Sequence, residues 1–137
     1  MVRLYKLLTC VCFACFSVCV AATPVSLECR YDEVKGTFQF TFEAGAETSE
    51  VLETKDSGES DSFVNVPISF TPRTTTIKLR RKLFDVLDQE QIFIIDRSSL
   101  SSTRNSTISD PQLGIEQKGS SQGSCEIVEI DTSTNVF

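Results

Sequence analysis

The sequence contains no histidine and no tryptophan, a single methionine, and only four prolines and six glycines in 137 residues. Without histidine it lacks the usual general base near neutral pH, the commonest zinc ligand and every Ser–His or Cys–His nucleophile pair. Any catalysis would have to run on paired carboxylates or on a Ser–Lys couple. Without tryptophan, the core must be built from smaller rings and aliphatic chains, and the ten phenylalanines are the natural material. Basic residues are the minority, 13 Lys and Arg against 19 Asp and Glu. An acidic surface disfavours nucleic acid or an anionic membrane as the main partner and names no ligand by itself. No internal repeat, heptad pattern or glycine-rich phosphate loop is present, so no phosphate cofactor is implied and none of another kind is expected.

What is present begins with an export signal. Met1 to Lys6 carries two positive charges and no acid, and Leu7 to Val20 is apolar apart from Thr9 and Ser17. Val20-Ala21-Ala22 then supplies the small residues read by a signal peptidase. Residues 1–22 are therefore expected to leave as a signal peptide, with cleavage after Ala22 and, as the alternative, after Ala21. The apolar run is shorter than the roughly 20 residues of a membrane span, so no stable membrane insertion is expected after cleavage. Cys10, Cys12, Cys15 and Cys19 lie in this run, where they act as small apolar residues. The nearest approach to a lipoprotein box, Cys12-Phe13-Ala14-Cys15, has the wrong residues at two positions.

Cleavage leaves two cysteines, Cys29 and Cys125, near opposite ends of the mature chain and bound for an oxidising compartment, secreted or periplasmic. A disulfide between them is the expected use. In the chain-entropy account such a loop contributes about 4–5 kcal/mol, a large share of the about 5–15 kcal/mol that stabilises an ordinary domain. Loss of Arg3 and Lys6 also takes the net charge from −6 to −8.

The mature chain reads as strands between polar turns, with residues 23–130 as one β domain and 131–137 as a frayed, flexible tail. Thr37 to Glu43 alternates three phenylalanines with polar residues, the two-residue period of a strand with one buried face. Val25 to Tyr31 alternates more loosely, and Asp32 to Gly36 turns it into the phenylalanine strand as a hairpin. Val51-Leu52 anchors a short strand, and Lys55 to Asp61 is a turn or mobile loop. Phe63 to Phe70 is a strand made edge-lying or broken by Pro67, and Thr74 to Leu79 is another. Over 80–88, Leu83, Val86 and Leu87 follow Leu79 at helical spacing, which predicts a short helix or a long turn. Gln91 to Asp96 is a continuous apolar run, predicted to be a central strand buried on both faces. From Arg97 to Ser124 the composition supports at most one or two weak strands, and Ser124 to Ile130 makes the last one. The expected class is all-β and mostly antiparallel: a small sandwich, a meander or a partly closed barrel.

The remaining candidate chemistry is thin. Asp56-Ser57-Gly58 matches three letters of an aspartic-protease site, but Glu53-Thr54-Lys55 precede it where apolar residues are needed, and no second copy exists. An acidic turn is the simpler reading. Glu126, Glu129 and Asp131 could form a carboxylate pair or calcium ligands, but carboxylates around a terminal strand ordinarily face water. No catalytic or metal-binding residue is assigned. Lys78-Leu-Arg80-Arg81-Lys82 is the one basic cluster; it reads as a solvated face, or else as a site for a sulfated glycan or a dibasic-specific protease. Asn105-Ser106-Thr107 is an N-glycosylation acceptor, relevant for a eukaryotic source only.

Two resemblances follow from these residues. Val25-Ser-Leu-Glu-Cys29-Arg-Tyr31 resembles strand B of an immunoglobulin domain, which would imply an adhesion or binding domain. Against it stand the distant second cysteine, the missing tryptophan, and Gly123 where that family has a tyrosine. Cys29, Phe38-Gln-Phe40, Ile95-Asp96-Arg97-Ser-Ser-Leu100 and Gly123-Ser-Cys125 resemble small exported bacterial β proteins of uncharacterised function. That resemblance implies compartment and architecture, supports a Cys29–Cys125 pairing, and gives Asp96 and Arg97 a structural turn.

The sequence therefore leads to an exported, non-enzymatic β domain that serves as a recognition, structural or accessory module, with a protein or cell-surface component as partner. The alternatives are a carrier of a small hydrophobic ligand, with phenylalanines lining a cavity, and a carboxylate hydrolase. Intact-mass measurement of the native protein is expected to show a chain beginning at Thr23, with Cys29 and Cys125 alkylated only after reduction. A chain still carrying Met1, or thiols that react without reductant, would contradict the export reading.

Overall fold

The computed structural model describes residues 23–128. β1 (Val25–Tyr31) and β2 (Thr37–Phe42) form the expected antiparallel hairpin, with Cys29 opposite Phe38 and Leu27 opposite Phe40. The chain then continues as a meander. It runs through β3 (Thr48–Thr54), β4 (Ser60–Phe70), β5 (Thr74–Leu83), β6 (Leu87–Asp96), β7 (Ser101–Asp110) and β8 (Ile115–Val128). Each strand pairs with its chain neighbours, and β8 pairs with β1, closing an eight-stranded antiparallel barrel. The all-β expectation holds in its barrel form. The proposed signal peptide, the tail, Glu129 and Asp131 lie outside the described residues.

Period-two alternation sends one set of side chains inward. Leu27, Cys29, Tyr31, Phe38, Phe40, Val51, Val66, Ile68, Ile77, Leu79, Phe93 and Ile95 form the buried core. At its centre Phe93 packs against both Phe38 and Phe40 with ring centroids 4.9 Å apart, and Tyr31 meets Phe93 at 5.8 Å. These rings fill the axis of the barrel. Outward positions such as Glu28, Arg30, Glu50 and Arg80 are polar and at least partly exposed.

β4 keeps this inside set only by a defect. Ser49 faces Val66 but Val51 faces Phe63, so one extra residue sits in β4, with Asn65 in the left-handed region at φ 57°. This bulge reverses the alternation. Phe63 and Val66 therefore both pack on the core, while Val64 is left exposed.

Four sequence expectations are corrected. Residues 80–88 hold no helix: β5 runs to Leu83, β6 starts at Leu87, and a tight turn joins them. The ladder from Thr74–Asp96 to Leu83–Leu87 satisfies the backbone along the whole hairpin, which outweighs the helical spacing of four leucines and valines. The region from Arg97 to Ser124 is not weakly structured, because β7 and β8 pair continuously from Ser101–Ser124 to Asp110–Ile115. β6 is not buried on both faces: Gln91, Phe93 and Ile95 are buried inside, whereas Ile92 and Ile94 are half-buried on the outside. Finally, the immunoglobulin-like alternative fails on topology. Its disulfide bridges two sheets, whereas here Cys29 and Cys125 are directly opposed on neighbouring strands of one sheet.

The disulfide joins those two residues with Cα atoms 4.0 Å apart. Cys125 N–H points away from β1 and donates to Leu100 O at 2.8 Å, so Cys29 and Cys125 form a pair without mutual backbone bonds. That is the closer of the two antiparallel pair types. Replacing both residues (Cys29→Ser with Cys125→Ser) frees a loop of 96 residues. Denaturant unfolding is expected to show a loss of about 4–5 kcal/mol; an unchanged midpoint would mean that the β1–β8 ladder holds the barrel shut alone.

Candidate functional site

The two ends of the barrel differ. β1, β2 and β3 are 7, 6 and 7 residues long, whereas β5, β6 and β7 have 10 each and β8 has 14. At the end carrying Val25, Phe42, Phe70 and Asp96, all eight strands meet. At the other end β5–β8 run on past the shorter strands as a four-stranded extension. β4 and β5 also part company there, since their ladder covers only Ile68–Ile77, Ser69–Thr76 and Phe70–Thr75.

Side chains close this mouth where backbone bonds do not. Arg81, inward on β5, donates from Nη1 to Glu53 Oε1 on β3 at 2.8 Å and from Nε to Gln89 Oε1 at 2.7 Å. Its guanidinium also lies 5.6 Å from the Phe63 ring centroid on β4. Gln91, fully buried, accepts from Arg104 Nε at 2.7 Å, and the Arg104 guanidinium sits 5.8 Å from the Phe38 ring centroid. Burial lowers the proton affinity of Arg104, while Glu53 and Tyr31 oppose that loss. The guanidinium keeps its charge because its proton affinity starts so high. Two arginines and one glutamate thus form a polar lid over the phenylalanine core. Across β7–β8, Ser121 faces Arg104, and its Oγ is buried with no hydrogen-bond partner among the described residues.

Beyond the lid, the extension ends in two neighbouring hairpin tips, held side by side by the Asp88–Ser109 pairing. The β5–β6 turn closes with Val86 N–H donating to Leu83 O at 3.1 Å, and Phe84 and Asp85 both lie in the left-handed region, at φ 53° and 62°. Such mirror-image turns normally carry Asn-Gly or Asp-Gly. A bulky residue there costs about 1–2 kcal/mol. Phe84 is nevertheless 88% exposed, with Val86 beside it and Leu113 and Ile115 on the β7–β8 tip, all in water. Backbone strain of this kind collects at functional positions.

The residues singled out by sequence fall elsewhere. Asp56, Ser57 and Gly58 occupy the exposed β3–β4 turn, where Gly58 N–H donates to Lys55 O. Glu126 is exposed on β8. The basic cluster is split by strand alternation. Arg80 and Lys82 lie outside, paired with Glu90 and Asp88 at 2.7 Å each, while Arg81 turns inward to the lid. Asn105 is half-buried on β7, between Ile92 and Ser120. Asp96 ends β6 in the expected turn. Its carboxylate is held well below the usual range by the Ser99 N–H, then by the Ser98 hydroxyl and N–H. Sequence reasoning missed the Glu53–Arg81–Gln89 and Gln91–Arg104 lid and the exposed tips. The available signal was polar residues at period two within β5 and β6.

Tyr31 bears on the chemistry of the lid. Its hydroxyl shares a 2.8 Å hydrogen bond with Ser102, and burial pushes its pKa up to about 12. The phenol therefore stays protonated and acts as a structural link between β1 and β7. Above the ordinary value of 10.0 the unfolded chain gives up this proton before the folded one does. Stability from this group is accordingly complete below pH 10 and falls as pH rises toward 12, by about 2–3 kcal/mol in all. Tyr31→Phe is expected to cost about 1 kcal/mol at neutral pH through the lost hydrogen bond and to flatten the alkaline limb. Chemical unfolding followed across that range checks both.

Compared with known protein families, with characterised proteins and with solved structures, the chain matches none.

Proposed function

We propose that the protein is an exported, non-enzymatic recognition module that engages a protein partner through the protruding end of its barrel. The observation that carries this reading is the pair of hairpin tips, which hold Phe84, Val86, Leu113 and Ile115 in water, with Phe84 on a strained backbone. Large apolar side chains grouped in this way, with a polar surround, are characteristic of interaction surfaces. Aromatic residues are the commonest anchors of binding energy.

Other features support the same reading. The sequence offers no histidine, and Glu53 near the core is engaged by Arg81. Phe38, Phe40 and Phe93 occupy the volume in which a carrier would hold an apolar ligand. Outward side chains such as Glu28, Arg30, Glu50 and Arg80 put charge on the wall where a lipid-facing barrel would present a continuous apolar band, and the outward Ile92 and Ile94 are only half-exposed. The Cys29–Cys125 disulfide suits an oxidising compartment.

Affinity capture from the exported and cell-surface proteins of the producing cells tests the proposal, with the double variant Phe84→Ser/Leu113→Ser compared against the unaltered chain. The partner's recovery is expected to fall at least about tenfold with the variant, and a wall substitution such as Glu28→Ala should leave it unchanged. Equal recovery with the tip variant would overturn the reading.

A further inference from the structure

The four-stranded extension has two long edges, and they are unlike. On β5 the edge beyond Ile77 carries Lys78, Arg80 and Lys82, and like charges of this kind guard an exposed strand against pairing. On β8 the edge is open. β1 pairs with β8 only from Tyr31–Gly123 onward, with one further bond from Asp32 N–H to Gln122 O at 2.8 Å.

That bond and the Cys125 N–H to Leu100 O bond set the phase of β8. Odd-numbered residues direct their backbone groups to β7, and even-numbered residues direct theirs to the far side. Glu116, Lys118 and Ser120 thus present N–H and C=O groups that have no backbone partner among the described residues. No proline or bulge interrupts the stretch, and Glu116 and Lys118 cancel in charge.

From this edge we infer that the protein self-associates: β8 of one protomer pairs antiparallel with β8 of a second copy about a twofold axis through Gln117. The charges select the register. Centred on Gln117, Glu116 lies opposite Lys118 of the partner subunit and Lys118 opposite Glu116 of the partner subunit. Centring on Lys118 sets lysine against lysine, and centring on Glu116 sets glutamate against glutamate; both are unfavourable directly across a ladder. Shape agrees with charge. The same register puts Ile115 opposite Gly119 of the partner subunit. Ile115 is 60% exposed, and a Cβ added at Gly119 would meet no atom within 4 Å. Isoleucine therefore fills the space that glycine leaves open, and the two extensions join into one continuous sheet. The contact is a single strand pair, so the dimer belongs with weak, small interfaces.

Sedimentation equilibrium of the purified, disulfide-bonded protein tests this without any other partner and with Phe84 untouched, so its outcome is separate from that of the tip reading. A monomer–dimer equilibrium is expected. Lys118→Glu should weaken it about tenfold by placing two like-charged pairs across the axis, and Glu116→Lys/Lys118→Glu should restore it. Gln117→Cys should cross-link to its own copy under mild oxidation. A chain that stays monomeric up to about 1 mM, a dimer indifferent to Lys118→Glu, a double exchange that fails to restore association, or a Gln117→Cys dimer that does not cross-link would each overturn the proposal.

Discussion

The whole barrel depends on the meeting of its first and last strands. Seven of the eight pairings join strands that follow one another in the chain, and each is closed by a short connection. The eighth, β1 with β8, brings together residues 96 positions apart and is held by backbone ladder, disulfide and core at once. Cys29 and Cys125 stand directly opposed, and two residues on, Tyr31 crosses Gly123. A Cβ at that glycine would lie 2.6 Å from Cδ1 of Tyr31 and 2.2 Å from Arg30 O, so no other residue lets β1 and β8 approach this closely. The Tyr31 hydroxyl then reaches Ser102 on β7 and ties the seam to the next strand.

Closure at this seam lets the two ends of the barrel differ. Below the lid the interior is an ordinary close-packed set of rings and aliphatic chains. Above it, β5–β8 outrun β1–β3, and inward positions become Arg81, Gln89, Gln91 and Arg104. A mouth that backbone bonds leave open is shut by a bidentate arginine that reaches across to β3. A guanidinium is well shaped for such a closure, because its planar fork donates to Glu53 and Gln89 while its face lies over Phe63. The closed end supplies rigidity and the extension supplies reach.

Much of the fold was legible in the sequence wherever hydrophobicity alternated. Phe38, Phe40 and Phe42 mark β2 unambiguously, and Cys29 and Cys125 are the only cysteines outside the apolar run from Leu7 to Val20. The largest error comes from strands whose inward residues are not apolar. On β7 and β8 the inside positions are Ser102, Arg104, Ser106, Gly119, Ser121 and Gly123, which alternate in direction but show no hydrophobic period. The β5–β6 hairpin was hidden differently. Its turn is Phe84-Asp85, with neither glycine nor asparagine to signal a reversal, and leucines flank it at a spacing that suits a helix equally well. Asn65 was silent too, since a bulge is visible only in the pairing that it shifts. The lid and the tips both lie in these stretches, so the sequence carried least information where the structure is most specific.

The seam also sets an order of events for the growing chain. Made from its amino end, the polypeptide can assemble β2 through β7 by neighbouring hairpins, each loop closing at little entropic cost. β1 meanwhile keeps one flank bare, because its second neighbour, β8, is synthesised after the other seven strands of the barrel. A polypeptide ending before Gly123 cannot hide that flank: it keeps the ladder from Thr103–Gln122 to Asp110–Ile115, but β1 loses its partner from Ser26 to Tyr31, and Ser101 and Ser102 of β7 lose theirs. Premature termination or clipping near the carboxyl end would therefore leave a sticky ribbon in place of a smaller version of the same barrel.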